Sequence, residues 1–429
     1  MRSLMRKFTG RRAVGLVLAV AISTCLVSAS FAQRDPLEIA QAGFVAKDRG
    51  DFMLAVRLFD EALARGQFAD KQRGFLLYSR GVSYEALGIR DRALSDLDAA
   101  VALLPDFPNV YLYRGIIWGD KGQYDRALQD FLTAGKINPK DPLIYNNLGN
   151  VYQKMGGLER SIESYDRAIG LRADYAEAYY NRAHTYALKH DDERALADYD
   201  KAILLRPAYA DAYVNRGVLL FSRGNIDGAL SDLGAAIKLN PRDASALSNR
   251  ASVNLALERY SEALDDFEQA LMADPGNAAI YLGRGRARLY SGALDGSIDD
   301  FKKAVRLRPS SPYPVIWLHI ARIHKGEADR EEFETNAKAV KREVWPGHLI
   351  DMYLGLLDAE TAREAAQQGV NGDRLKRDCE ARFFIGEFSA HNGRPEQARK
   401  ALREVASECG SAATVYGAAI AEEKLLPRE

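Results

Sequence analysis

Residues 176–209 read AEAYYNRAHTYALKHDDERALADYDKAILLRPAY. Tyr179, Ala183 and Tyr186 recur at the three-or-four spacing of one helical face, and Ala195, Tyr199 and Ala202 do the same further on. Between the two faces lies the polar, turn-prone KHDD, and Pro207 stops the second helix. The stretch predicts a helical hairpin with small residues where its helices approach closely.

That hairpin repeats. Gly81, Gly115, Gly149, Ala183, Gly217, Ala251 and Gly285 are each 34 residues apart. Ala93, Ala127, Ser161, Ala195, Ala229, Ala263 and Ser297 follow in step, as do Ala100, Ala134, Ala168, Ala202, Ala236, Ala270 and Ala304. Leu97, Phe131, Tyr165, Tyr199, Leu233, Phe267 and Phe301 form a large-residue column, and prolines 105, 139, 207, 241, 275 and 309 close six units. A 34-residue period with two small-residue contacts resembles the tetratricopeptide repeat family. The resemblance implies an all-α, right-handed superhelical solenoid whose concave groove is lined by the first helix of each hairpin. An irregular first hairpin carries Gly43, Gly50, Ala55, Phe59 and Ala62 in register, with four extra residues expected in the loop from Gly66 to Arg73. Eight hairpins thus cover about 36–311, and a divergent helical region with a degenerate terminal hairpin covers 312–429.

A second pattern runs through the repeats. Arg80, Arg114, Arg182, Arg216, Arg250 and Arg284 precede the small residue, and Asp96, Asp130, Asp198, Asp232, Asp266 and Asp300 come sixteen residues later. One unit has Leu148 and Ser164 in their places. Joint loss predicts bidentate Arg–Asp pairs serving the fold.

In this register the inward groove positions include Tyr78, Asn109, Asn146, Asn150, Tyr180, His184, Phe221 and Tyr290, with Asn147, Asn181, Asn215 and Asn249 in an adjoining column. Asparagine can pair with an extended peptide backbone and tyrosine offers a rigid contact face. A helix-to-helix hydrogen bond is the competing role for that column. Chaperone-docking relatives clamp a C-terminal carboxylate with lysine, but Glu177 and Asp211 stand where lysine is needed, so that clamp is not expected.

The first twelve residues are basic, Ala13–Val27 is apolar, and Ser30-Phe31-Ala32 offers small residues for cleavage. This predicts a signal peptide over 1–32 and export to the periplasm; the alternative is a membrane anchor through an uncleaved or lipidated N-terminus. Without Arg2, Arg6, Lys7, Arg11 and Arg12, the chain's 59 basic residues fall to 54 against 59 acidic ones. A mildly acidic chain without a basic stripe is a poor nucleic-acid ligand.

After Pro309 the register decays. Val315–His324 is predicted as a first helix, Glu327–Glu343 as a charged helix, and Gly386, Gly393, Ala398 and Leu402 recover the repeat in a last hairpin. The succession WLHIAR (317–322), WPGHLIDMYLG (345–355) and CEARFFIGEFSAHNGRPEQARKAL (379–402) resembles the C-terminal region of the bacterial new-lipoprotein-I family. That resemblance implies an envelope adaptor that brings periplasmic proteases and peptidoglycan hydrolases together. Cys379 and Cys409 flank one antiparallel hairpin and are candidates for a disulfide, favoured by export.

The six histidines are scattered and none has HExxH spacing; no phosphate loop, CxxC pair or GxSxG elbow occurs. No enzyme, cofactor or metal is expected. A protein-binding scaffold is the preferred reading, and a self-associating structural repeat protein is the alternative.

Overall fold

The computed structural model describes residues 35–368, 374–409 and 415–426, the side chain of Tyr416 aside. The predicted signal peptide and Cys25 lie outside them. The described residues form 23 helices and no strand, and no helix among them is long and apolar enough to cross a membrane. The chain divides into two compact units, up to Ala173 and from Asp174 onward.

Unit 1 holds four hairpins: α1 (Pro36–Asp48) with α2 (Phe52–Arg65), α3 (Asp70–Ala86) with α4 (Arg90–Leu103), α5 (Pro108–Asp120) with α6 (Tyr124–Ile137), and α7 (Pro142–Lys154) with α8 (Leu158–Leu171). A Cβ on Gly43 would stand 2.7 Å from the Phe59 ring, and one on Gly115 would stand 2.8 Å from the Phe131 ring. The small column is therefore the seat of the large one, and the crossing needs residues without bulk. The four extra residues do not sit in a loop. The connection is 66–69, and α3 has 17 residues where the first helices α5 and α7 have 13. Four residues are about one turn, so the helix lengthens with little rotation of its faces.

Unit 2 continues the pattern with α9 (Ala176–Leu188) and α10 (Asp192–Leu205), α11 (Ala210–Ser222) and α12 (Ile226–Leu239), α13 (Ala244–Ala256) and α14 (Tyr260–Ala273), and α15 (Ala278–Tyr290) and α16 (Leu294–Leu307). Ala195, Ala202, Ala229, Ala236, Ala263, Ala270 and Ala304 are completely buried. The turn between paired helices takes a left-handed residue, usually glycine, as at Gly224 (φ 78°) and Gly292 (φ 85°). In two hairpins His190 and Glu258, each at φ 57°, stand there instead.

The region after Pro309 is built differently. It contains α17 (Pro312–Lys325), α18 (Arg330–Ala337), α19 (Gly347–Leu354), α20 (Ala359–Gln367), α21 (Arg374–His391), α22 (Pro395–Glu408) and α23 (Tyr416–Leu425). The charged helix expected over 327–343 is shorter, with only 330–337 helical. Its apolar residues Phe333 and Ala337 are the ones that reach the core. Trp317 lies among Phe301, Phe383 and Phe384, at ring separations of 5.6–6.2 Å. Gly386 rests against Leu402, in the manner of the repeats. A disulfide joins Cys379 to Cys409, 30 residues on, with Cα atoms 5.9 Å apart.

Candidate functional site

Within unit 2, α9 packs on α11 and α11 on α13, so their outer faces form one stripe. Three columns repeat across it: Glu177, Asp211 and Ser245; Asn181, Asn215 and Asn249; His184, Val218 and Ser252. None of these nine residues is buried, and Val218 is 41% exposed. Glu177 pairs with Arg206 at 2.9 Å. Tyr180 packs at a tilt on Tyr209, with ring centroids 4.8 Å apart, and accepts a hydrogen bond from the Asn215 amide at 2.9 Å. Burial, reinforced by Asp211, pushes the Tyr180 phenol above its ordinary value, which keeps it neutral. Asn249 Nδ2 instead donates to the Ser245 carbonyl of its own helix. The asparagine column thus serves the fold in part: Asn215 bonds helix to helix, whereas Asn147 and Asn249 bond within their own helices.

Other predicted groove residues are placed differently. In unit 1, Tyr78 packs edge-on to Phe107 and Tyr113, and Asn109 bonds its hydroxyl. Asn146 is buried, and Asn150 accepts the Tyr165 hydroxyl at 2.7 Å. These two asparagines face the protein, because the large column of this hairpin carries a tyrosine whose hydroxyl needs a partner. In unit 2, Phe221 packs on the Leu233 cluster. Tyr290 is not a groove residue: its ring packs against Trp317, and its hydroxyl is sealed from solvent beside Glu422 and Glu387. The C-terminal region covers that end of the stripe. Gly417 abuts the backbone of Leu255 and Ala256, and Lys424 pairs with Glu258 at 2.6 Å.

Each arginine of the ladder grips its aspartate with both Nε and Nη2. The distances are 2.6–2.9 Å for Arg80–Asp96, Arg114–Asp130, Arg182–Asp198, Arg216–Asp232, Arg250–Asp266 and Arg284–Asp300. A second acid, missed in the sequence, joins Arg80, Arg114 and Arg216. Nη1 of Arg80, Arg114 and Arg216 donates to Asp60, Asp98 and Asp200, at 2.6–2.7 Å, on the preceding hairpin's second helix. These guanidiniums therefore staple successive hairpins as well as paired helices. The signal was present: Asp98 and Asp200 stand sixteen residues before Arg114 and Arg216. Where Leu148 replaces arginine, Leu132 holds the second-acid position. Gly234 holds it before Arg250, whose side chain is 32% exposed against 20% for Arg216.

Sequence spacing also missed a polar cluster inside the C-terminal region. It brings together His324, Glu387, His391 and Glu422, two of them histidines that are 67 residues apart in the chain. Burial and the charge of Glu387 push the Glu422 carboxyl up to about 7. Burial opposes a charged His324, but Glu387 and Glu422 outweigh it and lift the imidazole to about 10. The one local signal was Glu387-xxx-His391, which puts both side chains on one face of α21.

Antiparallel hairpins stacked in register define a helical repeat scaffold. Residues 120–156 and 156–190 match a family model described as TPR repeat, and 190–244, 214–278 and 250–312 match one described as tetratricopeptide repeat. The chain therefore carries tetratricopeptide repeats. Among solved structures it is similar to a tetratricopeptide repeat protein from Parabacteroides merdae, at 22% identity over 58% of this chain and 99% of that one, with a TM-score of 0.47. It is also similar to YrrB, described as a TPR protein with an unusual peptide-binding site, at 25% identity over 43% and 95%, TM-score 0.36. A third is pilF of Pseudomonas aeruginosa, at 18% identity over 48% and 94%, TM-score 0.45.

Proposed function

We propose that this chain is an exported scaffold that binds peptide segments or partner proteins of the cell envelope along the stripe of α9, α11 and α13. The observation that carries this is the stripe itself. Three successive first helices present unburied amide, hydroxyl and carboxylate groups in aligned columns, on a framework whose own columns are closed and buried. An extended segment laid across it would meet the remaining amide donors and acceptors of Asn215 and Asn249, while Val218 and Leu188 offer apolar contact. Asp211 favours a segment with a basic residue. The Cys379–Cys409 disulfide supports an oxidising compartment. The C-terminal resemblance points to periplasmic proteases and peptidoglycan hydrolases as the partners that the scaffold brings together.

The test is affinity capture from an envelope extract with two baits, the native chain and Asn181→Ala/His184→Ala/Val218→Ala. Circular dichroism first establishes that the second bait folds. A protease or cell-wall hydrolase held by the native bait and lost from the altered one supports the proposal. Equal capture by both baits moves binding off the stripe. Scattering mass that rises with concentration, with nothing captured, replaces the proposal with self-association.

A further inference from the structure

The His324 cluster has the spacing of donors around a shared ion rather than of partners bonded to one another. Glu387 and His391 lie one turn apart on α21, His324 comes from the last turn of α17, and Glu422 from α23. The ligating atoms of His324, Glu387 and His391 all fall within 4.8 Å of one another. His324 Nε2 is 3.3 Å from Glu422 Oε1 and 3.6 Å from Glu387 Oε2, and His391 Nε2 is 3.5 Å from that same oxygen. A charge-assisted hydrogen bond closes to about 2.7–2.9 Å. Donors at about 2.0–2.2 Å from a tetrahedral zinc are roughly 3.3–3.6 Å from each other.

Burial makes the same point independently. The Glu387 side chain is 1% exposed and that of Glu422 is 6% exposed. Both oxygens of Glu387, Glu422 Oε1 and His324 Nε2 are sealed from solvent without a hydrogen bond. Carboxylates so buried need a compensating charge in contact, which a protonated His324 or a bound cation supplies.

We propose that His324, Glu387 and His391 bind one divalent transition metal, zinc foremost, in a site that fastens α17 to α21, with Glu422 of α23 beside His324. Two imidazoles with a carboxylate suit zinc and its first-row neighbours, whereas calcium and magnesium prefer all-oxygen sites. The ion joins α17 to α21, and Glu422 sets α23, the element that lies over the end of α13, beside it. This site stands apart from the partner-binding reading and does not depend on it.

The experiment strips the full chain with a chelator, titrates it with Co2+, and repeats the titration with Zn2+ while following thermal unfolding. One equivalent of Co2+ should bind with the intense visible bands of a four-coordinate ion, Zn2+ should displace it, and Zn2+ should raise the melting temperature. Glu387→Gln should weaken Co2+ binding more than about a hundredfold, beyond the loss typical of an outer-shell change, and remove the zinc-dependent shift. His391→Asn, at the rim of the site, serves if that variant does not fold, with the same expected loss. His190→Ala, on an exposed turn, should leave both readouts unchanged. Equal Co2+ affinity in the native chain and the variant overturns the proposal. So does a native chain giving only the weak bands of six-coordinate surface binding, or no zinc-dependent rise in melting temperature.

Discussion

The repeats and the region after Pro309 solve the same packing problem by opposite means. The repeats bury alanine and glycine against one large side chain per hairpin and tie themselves with forked arginines. The C-terminal region buries Trp317, Phe383, Phe384 and Tyr353 in one aromatic core and adds a disulfide and a polar cluster. In the repeats each contact recurs with the next hairpin, so loss of one weakens one rung. In the C-terminal region each contact occurs once, and several helices depend on it.

The sharpest way to break that contrast is Trp317→Ala, which should cost roughly 3–5 kcal/mol by cavity formation. Urea unfolding measures the loss. Hydrogen exchange in residues 36–171 should stay at its native level, because repeat stability depends on nearest neighbours. Reduction of the disulfide, or Cys379→Ala/Cys409→Ala, should cost about 3–4 kcal/mol for a 30-residue separation. Melting with and without reductant reads this, and the variant should show no reductant effect.

Arg216→Leu tests the ladder. It leaves Asp232, 5% exposed, without its bidentate partner, and should cost about 2–4 kcal/mol. Adding Asp232→Ser reproduces the natural Leu148/Ser164 rung and should recover most of that loss, a coupling that a double-mutant cycle quantifies. A double-variant loss equal to the sum of the Arg216→Leu and Asp232→Ser losses would show two independent charges. The smallest expected effect is a gain. A Cβ at Gly234 meets nothing within 4 Å, and Gly234→Asp supplies the missing second acid for Arg250. Relief of the helical glycine and a partly exposed ion pair should together add about 0.5–1.5 kcal/mol.

The contrast also explains what could be read in advance. Gly115 and Phe131, or Arg216 and Asp232, meet within one hairpin, and seven copies of the same interval expose the pairing as a column. The right register followed, and with it the helices and the ladder. The four residues inserted before Gly81 were misplaced because a loop and an extra helical turn have the same length in sequence. Tyr290 was assigned to the groove because its register position is inward. What covers it is α23, an element with no repeat position. His324 and Glu422 escaped notice for the same reason: a contact made once, between helices far apart in the chain, leaves no period. Only Glu387 and His391, sharing a helix face, left a local trace.

The pairing of Lys424 with Glu258 spans 166 residues of sequence, whereas paired helices of a repeat meet within one 34-residue unit. Local pairs form as soon as both helices exist, while a distant pair must wait for the chain between to be made and ordered. During synthesis α13 therefore emerges with its far end bare and stays so until α23 follows. A nascent chain therefore presents a longer exposed face of first helices than one whose α23 is in place.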